Sequence, residues 1–127
     1  MGRRILVIDD EDAVRKSFTL ALEDTGYQVE TAESGERGLK KIQTNKYDLI
    51  FLDLKMPGMN GVETLRELRN IDKSVPIYIV TAFHKEFFDQ LKGAAEEGIG
   101  FEIVKKPLSS ERIVLITRGI LEGPQSL

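Results

Sequence analysis

Short, predominantly apolar runs recur along this chain, and each ends in polar residues. Ile5-Leu6-Val7-Ile8 ends at Asp9-Asp10, Leu49-Ile50-Phe51-Leu52 at Asp53, Ile77-Tyr78-Ile79-Val80 at Thr81, and residues 101–104 at Lys105-Lys106. Continuous runs of that length predict strands covered on both faces. Residues 27–32 alternate apolar with polar, which predicts an edge strand. Helical spacing fills the gaps. Val14, Phe18, Ala21 and Leu22 share one face of a helix predicted over 12–25 and stopped by Gly26. Ser34 caps a second helix carrying Leu39 and Ile42, weakened by Gly35 and Gly38. Val62, Leu65 and Leu68 mark a third. Residues 85–97 predict a fourth, with Phe87, Phe88, Leu91 and Ala94 or Ala95 inward. Ser109 or Ser110 caps a fifth, with Ile113, Ile116 and Ile120 on one side.

Five βα units in succession imply a parallel sheet with right-handed crossovers and helices on both faces. The amphipathic second strand belongs at an edge, which favours the 2-1-3-4-5 order of a flavodoxin-like, doubly wound (βα)5 fold. In such sheets the working site lies outside the carboxyl ends of the strands. Those ends carry Asp9-Asp10, Asp53, Thr81 and Lys105-Lys106.

The composition narrows the function. A chain of 127 residues is one domain by size, expected over 1–122 with a short tail at 123–127. It can bury about two-thirds of its unfolded surface. The absence of cysteine excludes a disulfide framework, a thiolate zinc site and a cysteine nucleophile. Net charge is −3 and no basic face is visible, so direct nucleic-acid binding is not expected. The apolar runs are too short to span a bilayer, and Met1-Gly2-Arg3-Arg4 lacks the features of a leader, so the expected location is the cytoplasm.

The acids suggest the chemistry. Asp9-Asp10-Glu11-Asp12, taken alone, also suits a helix N-terminus. Joined by Asp53 at a neighbouring strand end, the same acids would repel unless a cation lay among them. An oxygen-only, water-accessible site suits Mg²⁺. The expected set is Asp10 and Asp53 as direct ligands, Asp9 through a bound water, and the Lys55 backbone carbonyl. A carboxylate so placed can act as nucleophile toward phosphorus. Lys106 and Thr81, each an ordinary surface or strand-end residue when taken alone, would then serve the incoming oxygens. Pro107 follows Lys106; a cis bond there would aim the lysine inward, although trans is the common form.

These residues resemble a known family. Ile5-Leu6-Val7-Ile8-Asp9-Asp10-Glu11, then Asp53-Leu54-Lys55-Met56-Pro57-Gly58-Met59-Asn60-Gly61, Val80-Thr81-Ala82 and Lys106-Pro107 look like the receiver domain of bacterial two-component response regulators. The resemblance runs from about residue 4 to 121. It implies Mg²⁺-dependent phosphorylation of Asp53 by a histidine kinase's phosphohistidine, Asp9 and Asp10 as the acid pair, Thr81 as switch hydroxyl and Lys106 as phosphate partner. It also implies a sensor kinase or phosphotransfer protein upstream, an output partner or attached domain downstream, and a switch that does not turn over an external substrate.

Two departures stand out. Ile103 occupies the place, three residues before the final lysine, where such domains often carry an aromatic ring. The stretch from Thr81 to Lys106 is a few residues longer than usual and holds Gly93, Gly98 and Gly100. Phe83 is expected to shield an acyl phosphate from water, and His84 to face solvent. Other classes fit less well. A haloacid dehalogenase-type hydrolase wants Asp-x-Asp on the first strand and a cap domain. A nucleotide or flavin binder wants a phosphate loop where this chain has Asp-Asp-Glu-Asp. A receiver that is never phosphorylated would not need the full set of chemical residues.

Overall fold

A computed structural model of the chain describes residues 2–82 and 84–123. The strands are β1 (Arg4–Ile8), β2 (Gln28–Ala32), β3 (Leu49–Asp53), β4 (Ile77–Thr81) and β5 (Glu102–Lys105). The helices are α1 (Asp12–Leu22), α2 (Gly35–Thr44), α3 (Gly61–Ile71), α4 (Phe88–Glu96) and α5 (Ser110–Glu122), with a 3-10 turn (Lys85–Phe87) leading into α4. All pairings are parallel and the strand order is β2-β1-β3-β4-β5. This is the expected doubly wound order, with the amphipathic β2 at one edge.

Strand side chains alternate between the two faces. Leu6, Ile8, Ile50, Leu52, Ile77 and Ile79 pack with α2, α3 and α4; Ile5, Val7, Leu49, Phe51, Val80 and Val104 pack with α1 and α5. The three central strands therefore read as continuous apolar runs. Asn60 caps α3 in a reciprocal box with Glu63, and Ser34 and Ser109 cap α2 and α5 by accepting from the Arg37 and Arg112 amides.

The glycines inside α2 have a packing reason. A Cβ on Gly38 would sit 2.4 Å from Ile8 Cδ1, and one on Gly35 would sit 2.1 Å from Thr64 Oγ1. Their absence lets α2 lie close to β1 and α3, a gain that outweighs the low helix propensity of glycine.

Two expectations are corrected, and a third is extended. The first helix ends at Leu22 rather than residue 25, because Thr25 closes a turn with both its amide and its hydroxyl donating to the Leu22 carbonyl. In the fourth segment Phe88 is 46% exposed and Ala95 is also exposed, while Phe87, Leu91 and Ala94 are buried. The inward stripe is 87, 91 and 94, and Phe88, the first residue of α4 after the 3-10 turn, faces outward. Along α5 the most buried line is Ile113, Thr117 and Leu121, spaced by four; Ile116 and Ile120 flank it, half-buried. An apolar count favoured the isoleucines and passed over the threonine.

Thr117 Oγ1 is fully buried and has no hydrogen-bond partner. An unsatisfied buried hydroxyl destabilises by about 1 kcal/mol or more. Thr117→Val, of nearly the same shape, is expected to raise stability by ~0.5–1.5 kcal/mol in urea unfolding. Gly38→Ala should lower it by ~1–3 kcal/mol, because Cδ1 and Cγ1 of the fully buried Ile8 would both have to shift.

Candidate active site

The register sets the acids and the lysine side by side. Ile8 lies opposite Leu52, so Asp9 leaves β1 beside Asp53, the last residue of β3. Asp53 pairs with Val80, putting Thr81 one step further out, and Thr81 pairs with Lys105, putting Lys106 one step beyond again. The Lys106 amide donates to the Thr81 carbonyl at 2.8 Å, and the Lys106-Pro107 bond is cis.

Lys106 Nζ lies 3.0 Å from Asp53 Oδ1 and 3.0 Å from Asp9 Oδ2, with Glu11 Oε1 at 3.8 Å. Carboxylate oxygens of Asp9, Asp10 and Asp53 all fall within 4.8 Å of one another. That spacing, with oxygen donors alone, could close on a hard cation. Asp9 and Asp53 are only 2% and 6% exposed, whereas Asp10 is exposed at the mouth. Asp9 is held on both oxygens, since its Oδ1 accepts the Glu11 amide at 2.9 Å. The mouth is lined by Glu11, Lys55, Met56, Pro57, Ala82 and His84.

Electrostatics follow from this crowding. Burial and then the neighbouring Asp9 push the Asp53 carboxyl up to about 7, although Lys106 pulls the other way. Burial also raises Asp9, partly offset by the Glu11 amide and Lys106. Burial lowers Lys106, but its bonds to Asp53 and Asp9 outweigh that, and the ammonium is held above its ordinary value. The site therefore concentrates more negative charge than one lysine neutralises.

Asp9, Asp10, Asp53, Lys55, Thr81, His84 and Lys106 all lie at this end of the sheet. Thr81 is buried at the end of β4, and Lys55 is exposed on the loop after Asp53, its ammonium 4.0 Å from Glu86. Phe83 lies outside the described residues, as do 124–127 of the expected tail. His84 does not simply face solvent: it is half-buried, edge-on to the Phe87 ring at 6.4 Å and 3.9 Å from Glu86. Ile103 is 45% exposed on β5, while Phe101 packs against the core.

The motif reading gave no role to two residues that shape the site. A Cβ on Gly61 would sit 2.3 Å from the Asp53 carbonyl oxygen, so only glycine lets α3 start against the end of β3. Arg15 Nη1 donates to the Asp9 carbonyl at 2.7 Å. Gly61 was visible as the end of a glycine-rich turn; Arg15 carried no signal beyond its place in the first turns of α1.

The model of the response regulator receiver domain matches residues 5–118. The chain belongs to the response regulator receiver domain family. Receiver domains are signalling modules of two-component systems. Among curated relatives, the chain is 38% identical over 121 residues to the alkaline phosphatase synthesis transcriptional regulatory protein PhoP of Bacillus subtilis, covering 95% of this chain and 49% of that protein. It is 44% identical over 124 residues to the transcriptional regulatory protein AfsQ1 of Streptomyces coelicolor, covering 96% and 55%. The chain thus spans about half the length of the curated relatives it matches. Among solved structures, a CheY-like receiver domain protein from Methanospirillum hungatei superposes with a TM-score of 0.83 at 27% identity, over 97% of each chain. The response regulator TrrA of Thermotoga maritima, solved in complex with Mg²⁺-BeF, superposes at 0.77 with 34% identity over 94% of this chain and 99% of its own. No helix among the described residues is long and apolar enough to cross a membrane.

A stability test follows from the charge crowding. Because the folded-state value of Asp53 is raised, its contribution is fully present below the unfolded carboxylate value near 4. It is lost as pH rises through about 7. Asp53→Asn cannot ionise and escapes that loss. In the absence of divalent cations, Asp53→Asn should be more stable than the wild type at pH 8 by ~1–3 kcal/mol. The gap should close as pH approaches 4; a gap that is flat with pH would show that the crowding is not electrostatic.

Proposed function

We propose that this chain is a phosphorylation-activated switch in which Asp53 accepts a phosphoryl group from a histidine kinase's phosphohistidine. The observation that carries this reading is the single ammonium of Lys106 lying 3.0 Å from both buried acids, within a three-carboxylate cluster. A carboxylate oxygen of Asp53 attacks phosphorus, the P–N bond to the imidazole breaks, and an acyl phosphate forms on Asp53. Bound Mg²⁺ would supply positive charge to the phosphoryl oxygens and to the acids. Asp9, Asp10, Asp53 and the Lys55 backbone carbonyl would hold it, with Asp10 and Asp53 direct and Asp9 acting through water. The buried pairing of Asp9 with Lys106 and the Glu11 amide leaves Asp9 few lone pairs for direct ligation, which supports that division.

After transfer, Lys106 leaves the Asp53 carboxylate to pair with the phosphoryl group, and the Thr81 hydroxyl turns to donate to it. The charged and neutral bonds, at about 1–3 kcal/mol each, bias a two-state equilibrium of the loop after β4. Ile103 offers no polar ring to follow Thr81, so the readout travels through the segment from Ala82 into the 3-10 turn and α4. The β4–α4–β5 face then acts on a partner or an attached output domain. The upstream partner is a sensor histidine kinase or a phosphotransfer protein in the cytoplasm, and the receiver unit runs over 1–122. No external substrate is turned over.

Acetyl phosphate with Mg²⁺ should label the wild type at Asp53, and EDTA should block it, as read by phosphate-affinity electrophoresis and peptide mapping. Asp53→Asn labelled at position 53 would end this reading. Lys106→Ala should slow labelling by ~10–100-fold through loss of charge stabilisation. Mg²⁺ affinity, measured by calorimetry, should rise with pH up to about 7 and then level off, since the cation competes with the proton on Asp53.

A further inference from the structure

We propose that Arg15 is a positioning residue for the acid pocket, holding Asp10 in reach of the cation through the backbone; this rests on the site reading above. Asp9 is anchored at every polar group. Its amide donates to the Ala32 carbonyl at 3.0 Å, its Oδ1 accepts from the Glu11 amide and its Oδ2 pairs with Lys106. Its carbonyl accepts from Arg15 Nη1 at 2.7 Å, the fourth anchor.

That fourth anchor matters most for the next residue. The Asp9 carbonyl, the Asp10 amide and the Asp10 Cα lie in one peptide plane. Fixing the direction of the carbonyl therefore fixes the Asp10 amide and Cα, the point from which its side chain starts. Asp10 is exposed at the mouth, its carboxylate drawn against that of Asp53. Of the three acids it alone is exposed, so it has the least packing to hold its side chain.

Arg15 is built for this task. Its side chain is only 17% exposed, and its second nitrogen, Nη2, reaches Asp12 Oδ1 at 3.2 Å. The planar guanidinium thereby bridges the first turn of α1 to the end of β1 with two of its fixed donors. The Arg15 amide also donates to the Glu11 carbonyl at 3.1 Å, so the same residue closes the helical turn that follows the acids. Charge-assisted bonds to a carbonyl are stronger than neutral ones. Arg15 touches neither the cation nor the phosphoryl group.

The test is calorimetric titration of the whole chain with MgCl₂, alongside the Mg²⁺ dependence of acetyl phosphate labelling. Arg15→Met should weaken Mg²⁺ binding about tenfold, the loss of one charge-assisted bond. The labelling rate at saturating Mg²⁺ should stay near that of the wild type. Arg15→Lys keeps the charge but not the fork, and should weaken binding about two- to fivefold. It decides the matter alone if the methionine variant does not fold. Asp12→Ala, which removes the exposed arm of the bridge together with the surface pair to Lys16, should leave the affinity unchanged. Wild-type affinity in Arg15→Met, or in Arg15→Lys where only that variant folds, overturns the inference and leaves the phosphoacceptor reading intact. So does a lower saturated rate at unchanged affinity. A wild type that binds no Mg²⁺ overturns both.

Discussion

Like charges brought together at the open end of a parallel sheet are the constraint on which this structure depends. Parallel pairing sends the carboxyl ends of all five strands to one side, and β1 and β3 both end in acid. Burial then removes the water that would screen those acids. One ammonium, that of Lys106, is shared between two of them, and it falls short of neutralising three. The site is therefore stable enough to fold yet electrostatically unsatisfied, and a cation, or the phosphoryl group of the proposed function, would change that balance directly.

Around this unsatisfied centre the supporting structure is tightly packed. Both faces of the central strands are covered, and the close approach of α2 to β1 and of α3 to the end of β3 is made possible by Gly38 and Gly61. The backbone carrying Asp53 is thus fixed before any chemistry begins. Preorganisation of this kind is what phosphoryl transfer asks of a protein, since positioning and charge neutralisation dominate that reaction. Among the described residues between β4 and α4 are a bend at Ala82 and a single 3-10 turn (Lys85–Phe87), with polar groups of Glu86, Lys55 and His84 gathered at the rim.

Most of the architecture was legible in the chain. The apolar runs 5–8, 49–52 and 77–80 mark buried strands because parallel strands covered on both faces have no polar side to show. The alternation in 27–32 marks an edge for the opposite reason. The acids, Thr81 and Lys106 stood out because each breaks an apolar run at its end. The differences in burial along α4 and α5 share one origin. Apolar character was taken as a sign of burial, yet Phe88 is exposed, Ile116 and Ile120 only flank the core, and Thr117 lies inside it. Helical phase, set by the 3-10 turn before α4 and by the packing of α5 on α1, decides burial more sharply than side-chain type does.

The sequence by itself determined that five strands would alternate with five helices, in which order they would pair, and which residues would end each strand. Those properties are local: periodicity, caps and breakers act over a few residues, and strand order follows from which strand is half-exposed. Only the tertiary structure decided that one lysine spans Asp9 and Asp53, that Asp53 holds its proton up to about 7, and that Arg15 ties down the turn carrying Asp10. These depend on register, on distances of about 3 Å and on the removal of water. Such quantities arise only when segments far apart in the chain are brought together.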